Sequence, residues 1–524
     1  MGLFRKYAAL LAILILFLAQ AALFCVIPLS GADVFLSPDE TANAVAARSF
    51  SMNGSMRIVD DILKDGPWLR PRSFVTQGNA MVPVGFLGLP MIIGSLRRLL
   101  GEFALLFVIP LLVLSAGFPL WKFLQSSGRT AQIAGVAMWL GFPTVILYAN
   151  RGLYPNLPVV CFGLWSAYLV WSRKAWWSTM LAGFAFGLAI AIRPVEVVWL
   201  SAWIIGAWFL RKEKTTLAWK EVANFAVSAF APMCAAAFVA WKTYGSIFAV
   251  GYFLRDTAPA SIGAQGLATP SSPSAAAMWP FGFHPRNMWF NVRSYLFGEW
   301  LPWTVIAALC AGVTWRRREG KIASGVALWT LIVCVCVYGQ SIYQDHVGIN
   351  VVSSGNSFLR YMIPMAAVFA LSFGVGVGMI AQRYEKKRLF PIFIAVAVAL
   401  FVVGGTKFAF DGDDENLINA TQELQRYQSI RASTFARFGF QTIVLSDRSD
   451  KIFFPIFRVA SPLPSKDQIY QLVEQAHASV TLFTETLDDT AMIPWKNAGI
   501  QLRPIIQNQN QSLYVLSVAP ASLK

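Results

Sequence analysis

The chain has 524 residues, of which 56% are hydrophobic and only 13% are charged, and its net charge is +16. This composition excludes an ordinary soluble protein and indicates a polytopic membrane protein. The excess of Lys and Arg does not indicate a nucleic-acid partner, because no basic stripe is interleaved with stacking aromatic residues in a soluble module.

Apolar runs long enough to cross a bilayer recur from residue 8 to about residue 408. The first run has a basic start and could be read as a signal peptide, with AQA at 19–21 as its cleavage site. Its continuation to about Pro28 favours an uncleaved first helix. Together the runs predict eleven transmembrane helices, at about 8–28, 103–121, 131–149, 157–171, 176–192, 195–210, 221–241, 300–315, 322–340, 358–381 and 389–408.

Six basic clusters between these runs predict the orientation of the chain. Because basic loops favour the cytoplasm, two crossings should separate each neighbouring pair of clusters. This pattern predicts that the N-terminus lies in the cytoplasm and the C-terminus outside it. The clusters are at about 5–6, 122–129, 173–174, 211–220, 316–321 and 382–388.

The segment at 81–101, MVPVGFLGLPMIIGSLRRLLG, is apolar enough to cross the membrane. A crossing there would place every later basic cluster on the outer side. Its prolines, its glycines and its Arg97-Arg98 end favour a re-entrant or interfacial helix. Without a crossing there, large outer loops are predicted at 29–102 and 242–299.

The last part of the chain, 411–524, is polar and mixed, and it predicts a small extramembrane α/β domain. The fold class is therefore mostly α: a membrane helical bundle at 1–410 followed by this domain. Its predicted elements are a helix at 416–438, a strand at 441–446, a helix at 465–479 capped by Ser465, a strand at 479–485 and a terminal hairpin from about 501.

Most common chemical motifs are missing from the sequence. There is no Walker A loop, no GxSxG elbow and no HExxH, and the three histidines cannot form a histidine-rich metal site. The six cysteines lie in apolar segments without disulfide or zinc spacing. GVGVG at 374–378 lies within an apolar run, where glycines favour close helix packing.

Two adjacent carboxylates, Asp39 and Glu40, open a helical stretch in SPDETANAVAAR directly after the first apolar run. Acidic residues at a helix start stabilise it by about 0.3–1 kcal/mol each, so a capping role alone would explain them. Their position next to a transmembrane helix also holds them at the bilayer surface, where a lipid-carried substrate would present its head group.

Four stretches in order along the chain resemble the GT-C glycosyltransferases that use polyprenyl-phosphate sugars. The similarity covers about residues 1–410, and the closest branches are the aminoarabinose transferases of lipid A and the protein O-mannosyltransferases. The stretches are SPDE after the first helix, GLAIAIRPVEVVWL at 187–200, WPFGFHPRNMWFNVRSYLFGEWLPW at 279–303 and SFLRYMIPM at 357–365.

This resemblance implies a role for each carboxylate. Transfer of a sugar to a hydroxyl or amine needs a general base, and the resemblance assigns that role to Asp39. Glu40 would orient the acceptor or bind a divalent cation; no cofactor is certain. Relatives carry a second acid in the next outer loop, where this sequence has Asn156, and this difference leaves metal use open.

The resemblance also implies a site for the donor phosphate, whose developing charge calls for arginine side chains or a metal. Arg193 and Arg360 lie at predicted outer helix ends, with Tyr361 beside the second. Arg286 and Arg293 in the long outer loop are further candidates. Anchoring at the membrane interface is the alternative role for all such arginines.

The resemblance implies transfer of a sugar from a polyprenyl-phosphate donor to an envelope acceptor, on the non-cytoplasmic face of a bacterial inner membrane. The acceptor could be a lipid, a glycan or a protein. A multi-pass transporter or flippase, or a non-catalytic protein of envelope polysaccharide assembly, remains the alternative. A transporter would be expected to carry charges near the midplane and internal repeats, and the sequence shows neither clearly.

Overall fold

A computed structural model describes most of the chain. The described residues are 18–30, 33–64, 66–172, 176–211, 219–254, 282–315, 318–343, 345, 352–384, 390–475, 478–508 and 511–518. The chain folds into two compact units. The helical unit comprises Met1–Ser30, Leu100–Ala237 and Ala260–Ala420, and the mixed unit comprises Gly31–Leu99, Phe238–Pro259 and Thr421–Lys524.

The main helices and strands are numbered in chain order. The helices are α1 (Pro38–Asn53), α2 (Gly88–Leu100), α3 (Phe103–Phe123), α4 (Arg129–Leu140), α5 (Pro143–Asn150), α6 (Asn156–Ser172), α7 (Trp176–Ile192), α8 (Val197–Phe209), α9 (Trp219–Tyr244), α10 (Pro285–Asn291), α11 (Leu301–Thr314), α12 (Arg318–Tyr338), α13 (Ser357–Tyr361), α14 (Ile363–Arg383), α15 (Phe390–Asp411), α16 (Leu417–Phe438), α17 (Asp450–Phe453), α18 (Lys466–Gln475) and α19 (Asp489–Asn497). The strands are β1 (Ile58–Val59), β2 (Phe74–Gln77), β3 (Ala80–Pro83), β4 (Ile443–Ser446), β5 (Arg458–Ala460), β6 (Val480–Glu485), β7 (Ile500–Asn508) and β8 (Gln511–Val518).

Apolar helices dominate the helical unit, as the sequence predicts. Within the described residues five helices are long and apolar enough to cross a membrane, in α3, α9, α12, α14 and α15, and two bent pairs raise this number to seven. The apolar helices α6, α7 and α8 are shorter. These elements coincide with ten of the eleven predicted helices. The first, 8–28, lies largely outside the described residues, with helix at 18–23 and at Val26–Leu29.

One predicted helix is bent, and another is preceded by a helix at a sharp angle. The stretch predicted as 131–149 is two helices, α4 and α5, whose axes differ by 52°. Pro143 opens α5, and Phe142 before it is extended, at φ −73° and ψ 129°, because a proline disfavours helical geometry in the preceding residue. The stretch predicted as 300–315 is α11, and helix also extends over Pro285–Glu299, at 90° to it. The predicted loop 242–299 therefore contains helix at its end.

Glycines let the helices of this unit approach closely. A Cβ on Gly187 of α7 would lie 2.2 Å from the carbonyl oxygen of Ala229 in α9. A Cβ on Gly378 of α14 would lie 2.6 Å from the carbonyl oxygen of Ser127. Both distances are shorter than van der Waals contact, so only glycine fits. The predicted packing role of the GVGVG stretch in α14 is confirmed.

The first half of the mixed unit is helix α1, a small sheet and helix α2. Gly54 ends α1 in the left-handed conformation, at φ +65°. Strands β1, β3 and β2 follow as an antiparallel sheet in that spatial order. A Cβ on Gly94 of α2 would lie 2.6 Å from the carbonyl oxygen of Ala47 in α1. The two helices therefore pack directly on each other.

Helix α2 forms most of the segment 81–101, which the sequence predicts not to cross the membrane. Its 13 residues extend for about 20 Å, which is shorter than the hydrocarbon core of about 30 Å. Arg98 Nε donates to the Ser51 carbonyl oxygen at 3.0 Å, and Arg97 Nη1 donates to Ser51 Oγ at 2.6 Å. These contacts hold the arginine end of α2 against α1, which supports the prediction that the segment does not span.

The predicted orientation can be checked with single cysteines. Gln125 and Ser126, which follow α3, are exposed. We expect cysteines at these positions to be shielded from an impermeant thiol reagent in intact cells, because nearby Lys122 and Arg129 favour the cytoplasm. A cysteine at exposed Gln425 of α16 should react, and serves as the control. Strong labelling at position 125 would show that the predicted number of crossings is wrong.

The C-terminal half of the mixed unit is an α/β fold, as predicted. Its five strands lie in the order β5-β4-β6-β8-β7. Strand β4 is parallel to β5 and β6, whereas β8 is antiparallel to β6 and β7. Ser465 caps α18 as predicted, since its Oγ accepts from Gln468 N at 3.3 Å. Strand β5, three residues long, is an element that the sequence did not predict.

Ion pairs join the two halves of the mixed unit. Arg72 Nε lies 2.9 Å from Oδ1 of buried Asp450, and Arg458 Nε lies 2.8 Å from Asp60 Oδ2. Residues 31–99 accordingly fold together with the C-terminal part as one compact unit. The predicted division into a transmembrane domain at 1–410 and an extracytoplasmic α/β domain at 411–524 stays a prediction.

Candidate active site

The carboxylates Asp39 and Glu40 lie in the first turn of α1, in the mixed unit. Ser37 is the N-cap, because its Oγ accepts from the backbone N–H of Asp39 at 3.1 Å. Pro38 occupies the first helical position, where its missing N–H costs nothing. Since Ser37 supplies the cap, the two acids are not needed for that role, although their charge favours the helix start.

The two neighbouring acids have different environments. Asp39 is exposed, and its Oδ1 accepts a hydrogen bond from Ser73 Oγ at 3.1 Å. Glu40 is only 3% exposed and takes part in interactions within the protein. A substrate hydroxyl could therefore reach Asp39 directly, whereas the side chain of Glu40 is buried. The roles of both residues stay predictions.

The two carboxylates alone would not complete the coordination shell of a divalent cation at this position. Among the described residues, no group of three or more His, Cys, Asp or Glu side chains could hold a metal ion. Asp39 and Glu40 would supply two carboxylates at most, and Mg²⁺ in such sites completes its shell with water and substrate phosphate. The predicted metal role of Glu40 remains open.

A second cluster lies in the helical unit around Arg193, in the turn after α7. Arg193 Nε lies 3.0 Å from Glu196 Oε1, and Arg193 Nη2 donates to the Tyr338 hydroxyl at 3.0 Å. The Tyr338 hydroxyl in turn donates to Glu196 Oε1 at 2.7 Å. Arg193 and Glu196 are 8% and 4% exposed. This ion pair is thus buried and fixed by a phenol, which is more than an exposed membrane anchor requires.

Arg360 and Tyr361 join the same cluster at the end of α13. The ring of Tyr361 stacks on that of Tyr338, with centroids 4.2 Å apart. The Arg193 Cζ lies 4.9 Å from the Tyr361 centroid, and the Arg360 Cζ lies 5.3 Å from it. The structure therefore brings together Arg193, Arg360 and Tyr361, which the sequence placed 168 positions apart at most.

The sequence did not single out Arg151 and Tyr154, which complete the cluster. Arg151 is 5% exposed and its Nη2 donates to the Tyr154 hydroxyl at 2.8 Å. The Cζ of Arg360 lies 4.2 Å from the Tyr154 centroid. The available signal was an arginine flanked by two tyrosines in an otherwise apolar stretch, YANRGLY. We refer to Arg151, Arg193, Arg360, Tyr154, Tyr338 and Tyr361 as the arginine–tyrosine cluster.

Tyr343, in the segment after α12, lies beside the arginine–tyrosine cluster. Its ring centroid is 5.6 Å from that of Tyr361, and its hydroxyl donates to the Tyr338 carbonyl oxygen at 3.1 Å. Burial raises the pKa of the Tyr343 phenol well above its ordinary value, and neighbouring Tyr361 and Asp345 raise it further. The phenol therefore stays protonated at neutral pH and remains a hydrogen-bond donor.

The cluster is suited to bind an anion. Burying a guanidinium group is costly unless an anion and hydrogen bonds compensate for the lost water. Three guanidinium groups, each less than a tenth exposed, converge here on tyrosine rings and hydroxyls. Arginine forks match the geometry of phosphate oxygens. A phosphate group would supply negative charge and hydrogen-bond acceptors, which suit three buried guanidinium groups.

Arg286 and Arg293, the other predicted phosphate ligands, are exposed on α10 and on the helical turn that follows it. Their assignment to the donor remains a prediction. Asp39 and Glu40 are neighbours in the mixed unit, whereas the four predicted arginines and Tyr361 belong to the helical unit.

No protein-family model and no curated protein matches the sequence of this chain. Among solved structures, the chain is similar to ArnT from Cupriavidus metallidurans bound to undecaprenyl phosphate, with 12% sequence identity and a TM-score of 0.56. That match covers 96% of this chain and 98% of ArnT. The apo state of the same protein matches with 12% identity and a TM-score of 0.53, covering 97% and 98%. The chain therefore has the fold of ArnT, a GT-C glycosyltransferase, over nearly its whole length, and the predicted fold class is confirmed.

Proposed function

We propose that this protein is a membrane glycosyltransferase that moves a sugar from a polyprenyl-phosphate donor to an envelope acceptor. The observation that carries the proposal is the buried arginine–tyrosine cluster, within the fold of a protein that binds undecaprenyl phosphate. The acceptor is a lipid, a glycan or a protein of the envelope, and the reaction takes place on the non-cytoplasmic face.

In this reaction the arginine–tyrosine cluster binds the donor phosphate. As the bond between the sugar carbon and the phosphate oxygen breaks, negative charge develops on the leaving polyprenyl phosphate. Arg360 and Arg151 stabilise that charge, while Glu196 and Tyr338 hold Arg193 in position. Preorganised cationic donors of this kind stabilise a transition state without a cost of reorganisation at the moment of reaction.

Asp39 acts as the general base for the acceptor. It takes the proton of the attacking hydroxyl or amine, the new glycosidic bond forms at the same sugar carbon, and polyprenyl phosphate leaves. Its exposure makes it accessible to an acceptor, and the Ser73 hydroxyl orients it. Glu40, which is buried next to it, helps to orient the acceptor or to bind a divalent cation. A carboxylate is a suitable base for this step.

Glycan and lipid profiles of cells with and without the gene test this proposal. We expect one envelope component to lose a sugar in cells that lack the gene, and polyprenyl-phosphate sugar to accumulate. The wild-type gene should restore the sugar, and a gene encoding Asp39→Asn should not. Unchanged profiles, or accumulation of a whole glycan on the wrong face of the membrane, would contradict a transferase and favour a flippase.

A further inference from the structure

A large cleft opens in the mixed unit, away from the candidate carboxylates. Its volume is about 1260 Å³, and its walls are the second half of α1, the segment 57–71 and the C-terminal α/β part. Ligand pockets for small molecules usually have volumes of about 300–1,000 Å³. The cleft is therefore large enough for a ligand of several linked units.

The walls of the cleft are rich in side-chain amides. Among the described residues, those with amide side chains that line it are Asn53, Gln441, Gln468, Gln471 and Gln475. Gln471 and Gln475 are exposed on successive turns of α18. Each amide offers donors and an acceptor together, which matches the paired donor and acceptor character of sugar hydroxyls.

An aromatic ring and a cationic surplus accompany these amides. Trp68 lines the cleft and is half-buried. Part of its indole is therefore available to contact the apolar face of a sugar ring. Within the described part of the wall, the charged residues are Arg48, Arg57, Arg458 and Asp60. This lining has a net positive charge, which favours an anionic ligand.

The arginines of the cleft are held in place by the protein. Arg458 binds Asp60 through Nε at 2.8 Å and Nη2 at 3.1 Å. Arg57 Nη1 donates to Gln77 Oε1 at 2.8 Å and to the Thr243 carbonyl oxygen at 3.0 Å. These contacts restrict the side chains to the wall of the cleft, so that binding loses little side-chain freedom.

The cleft is separate from the candidate base. Arg48 lies nine residues after Asp39 on the same helix, which corresponds to about 14 Å along the axis. Residues of α1 that line the cleft, such as Val45, Arg48 and Met52, follow helical spacing on one face, and Asp39 is not among them. A ligand in the cleft would therefore contact the protein at a distance from the reacting atoms.

A peptide in this cleft would find few backbone groups with which to form a further strand. The edge strands that border the cleft are β1 and β5. They are only two and three residues long, and Pro455 precedes β5 closely. Short edges and prolines prevent the addition of a further strand. The amides, the indole and the arginines remain as the recognition elements.

We propose that this cleft binds an anionic oligosaccharide, the glycan part of the acceptor, whose end then reaches the reaction site. The assignment of this oligosaccharide as the acceptor rests on the proposed transferase function. The amides hydrogen-bond to sugar hydroxyls, the indole of Trp68 packs on a sugar ring, and the arginines attract its phosphate or carboxylate groups.

Site-specific photo-cross-linking in cells tests this inference. The full-length chain carries benzoylphenylalanine in place of Gln471, in the Asp39→Asn background, so that capture does not depend on turnover. The matched control carries the same probe in place of Gln425, an equally exposed glutamine on α16 that does not line the cleft. Adducts are treated with periodate and hydrazide to detect sugars, and are then analysed by mass spectrometry.

We expect adducts that carry a saccharide with phosphate or carboxylate groups, several times more abundant at position 471 than at position 425. Adducts with protein alone, a neutral saccharide, or equal capture at the two positions would overturn the inference. If the cell profiles show no transferase but the saccharide is captured, the cleft still binds it and only its assignment as acceptor fails.

Discussion

Replacing Asp39 by Asn is expected to slow the chemical step by about 10²- to 10⁴-fold, the usual contribution of a positioned general base. The amide cannot accept the acceptor proton, although its oxygen can still accept the hydrogen bond from Ser73. Because the cap belongs to Ser37, the variant should fold and insert normally. Transfer rates with the purified protein in detergent, measured at saturating donor, check this expectation.

Ser37→Ala is the matched control for Asp39→Asn. It removes the hydroxyl that caps α1, at a cost of about 0.5–2 kcal/mol in stability, but leaves the carboxylate in place. We expect a lower midpoint of thermal unfolding with near-normal turnover, the reverse of the Asp39→Asn pattern. Wild-type turnover in Asp39→Asn would remove the catalytic assignment of Asp39.

Replacing Arg360 by Ala is expected to raise the apparent KM for the lipid-linked sugar. A hydrogen bond to a charged group contributes about 1.5–3 kcal/mol, which corresponds to roughly a ten- to hundredfold change. Arg360→Lys should recover only part of this loss, because an ammonium group is a point charge without a bidentate fork. Initial rates over a range of donor concentrations measure both effects.

Arg360 is a better choice for this experiment than Arg193. Loss of Arg193 would leave buried Glu196 without its ion-pair partner, which typically costs about 3–5 kcal/mol in stability. Such a change would mix unfolding with donor binding.

Arg383→Ala, at the exposed end of α14, provides a control with the same change of charge. Wild-type kinetics in Arg360→Ala would move the donor site elsewhere, with Arg286 and Arg293 as the next residues to test.

Elements with a strong local signal could be predicted from the sequence. The apolar runs gave the positions of ten helices, because burial in lipid imposes length and composition on each segment by itself. Ser465 could be identified as a cap, and the terminal hairpin as two strands, because a cap residue and a strand pattern are also read from neighbouring residues. The pairing of Asp39 with Glu40 at a helix start was equally readable, since Ser-Pro precedes it.

Features set by distant contacts could not be predicted. Arg151 looked like part of a short turn, and only the fold brings it to Tyr154 beside Arg360. The bend at Pro143 was ambiguous, because prolines also occur within intact apolar helices such as α3. The grouping of residues 31–99 with the C-terminal part depends on ion pairs such as Arg72–Asp450, which the neighbouring sequence does not indicate.

The long separation of such ion-pair partners in the chain has a consequence for folding during synthesis. Asp33 and Asp60 each bind an arginine that lies 398 residues later in the chain, Arg431 and Arg458 respectively. At about 5–20 residues per second, roughly 20–80 s separate the appearance of the two partners at the ribosome. During that interval the segment that carries the candidate base is outside the ribosome with its docking surface uncovered. A chain that is cut short before residue 431 would remain in this state and present that surface to chaperones and proteases.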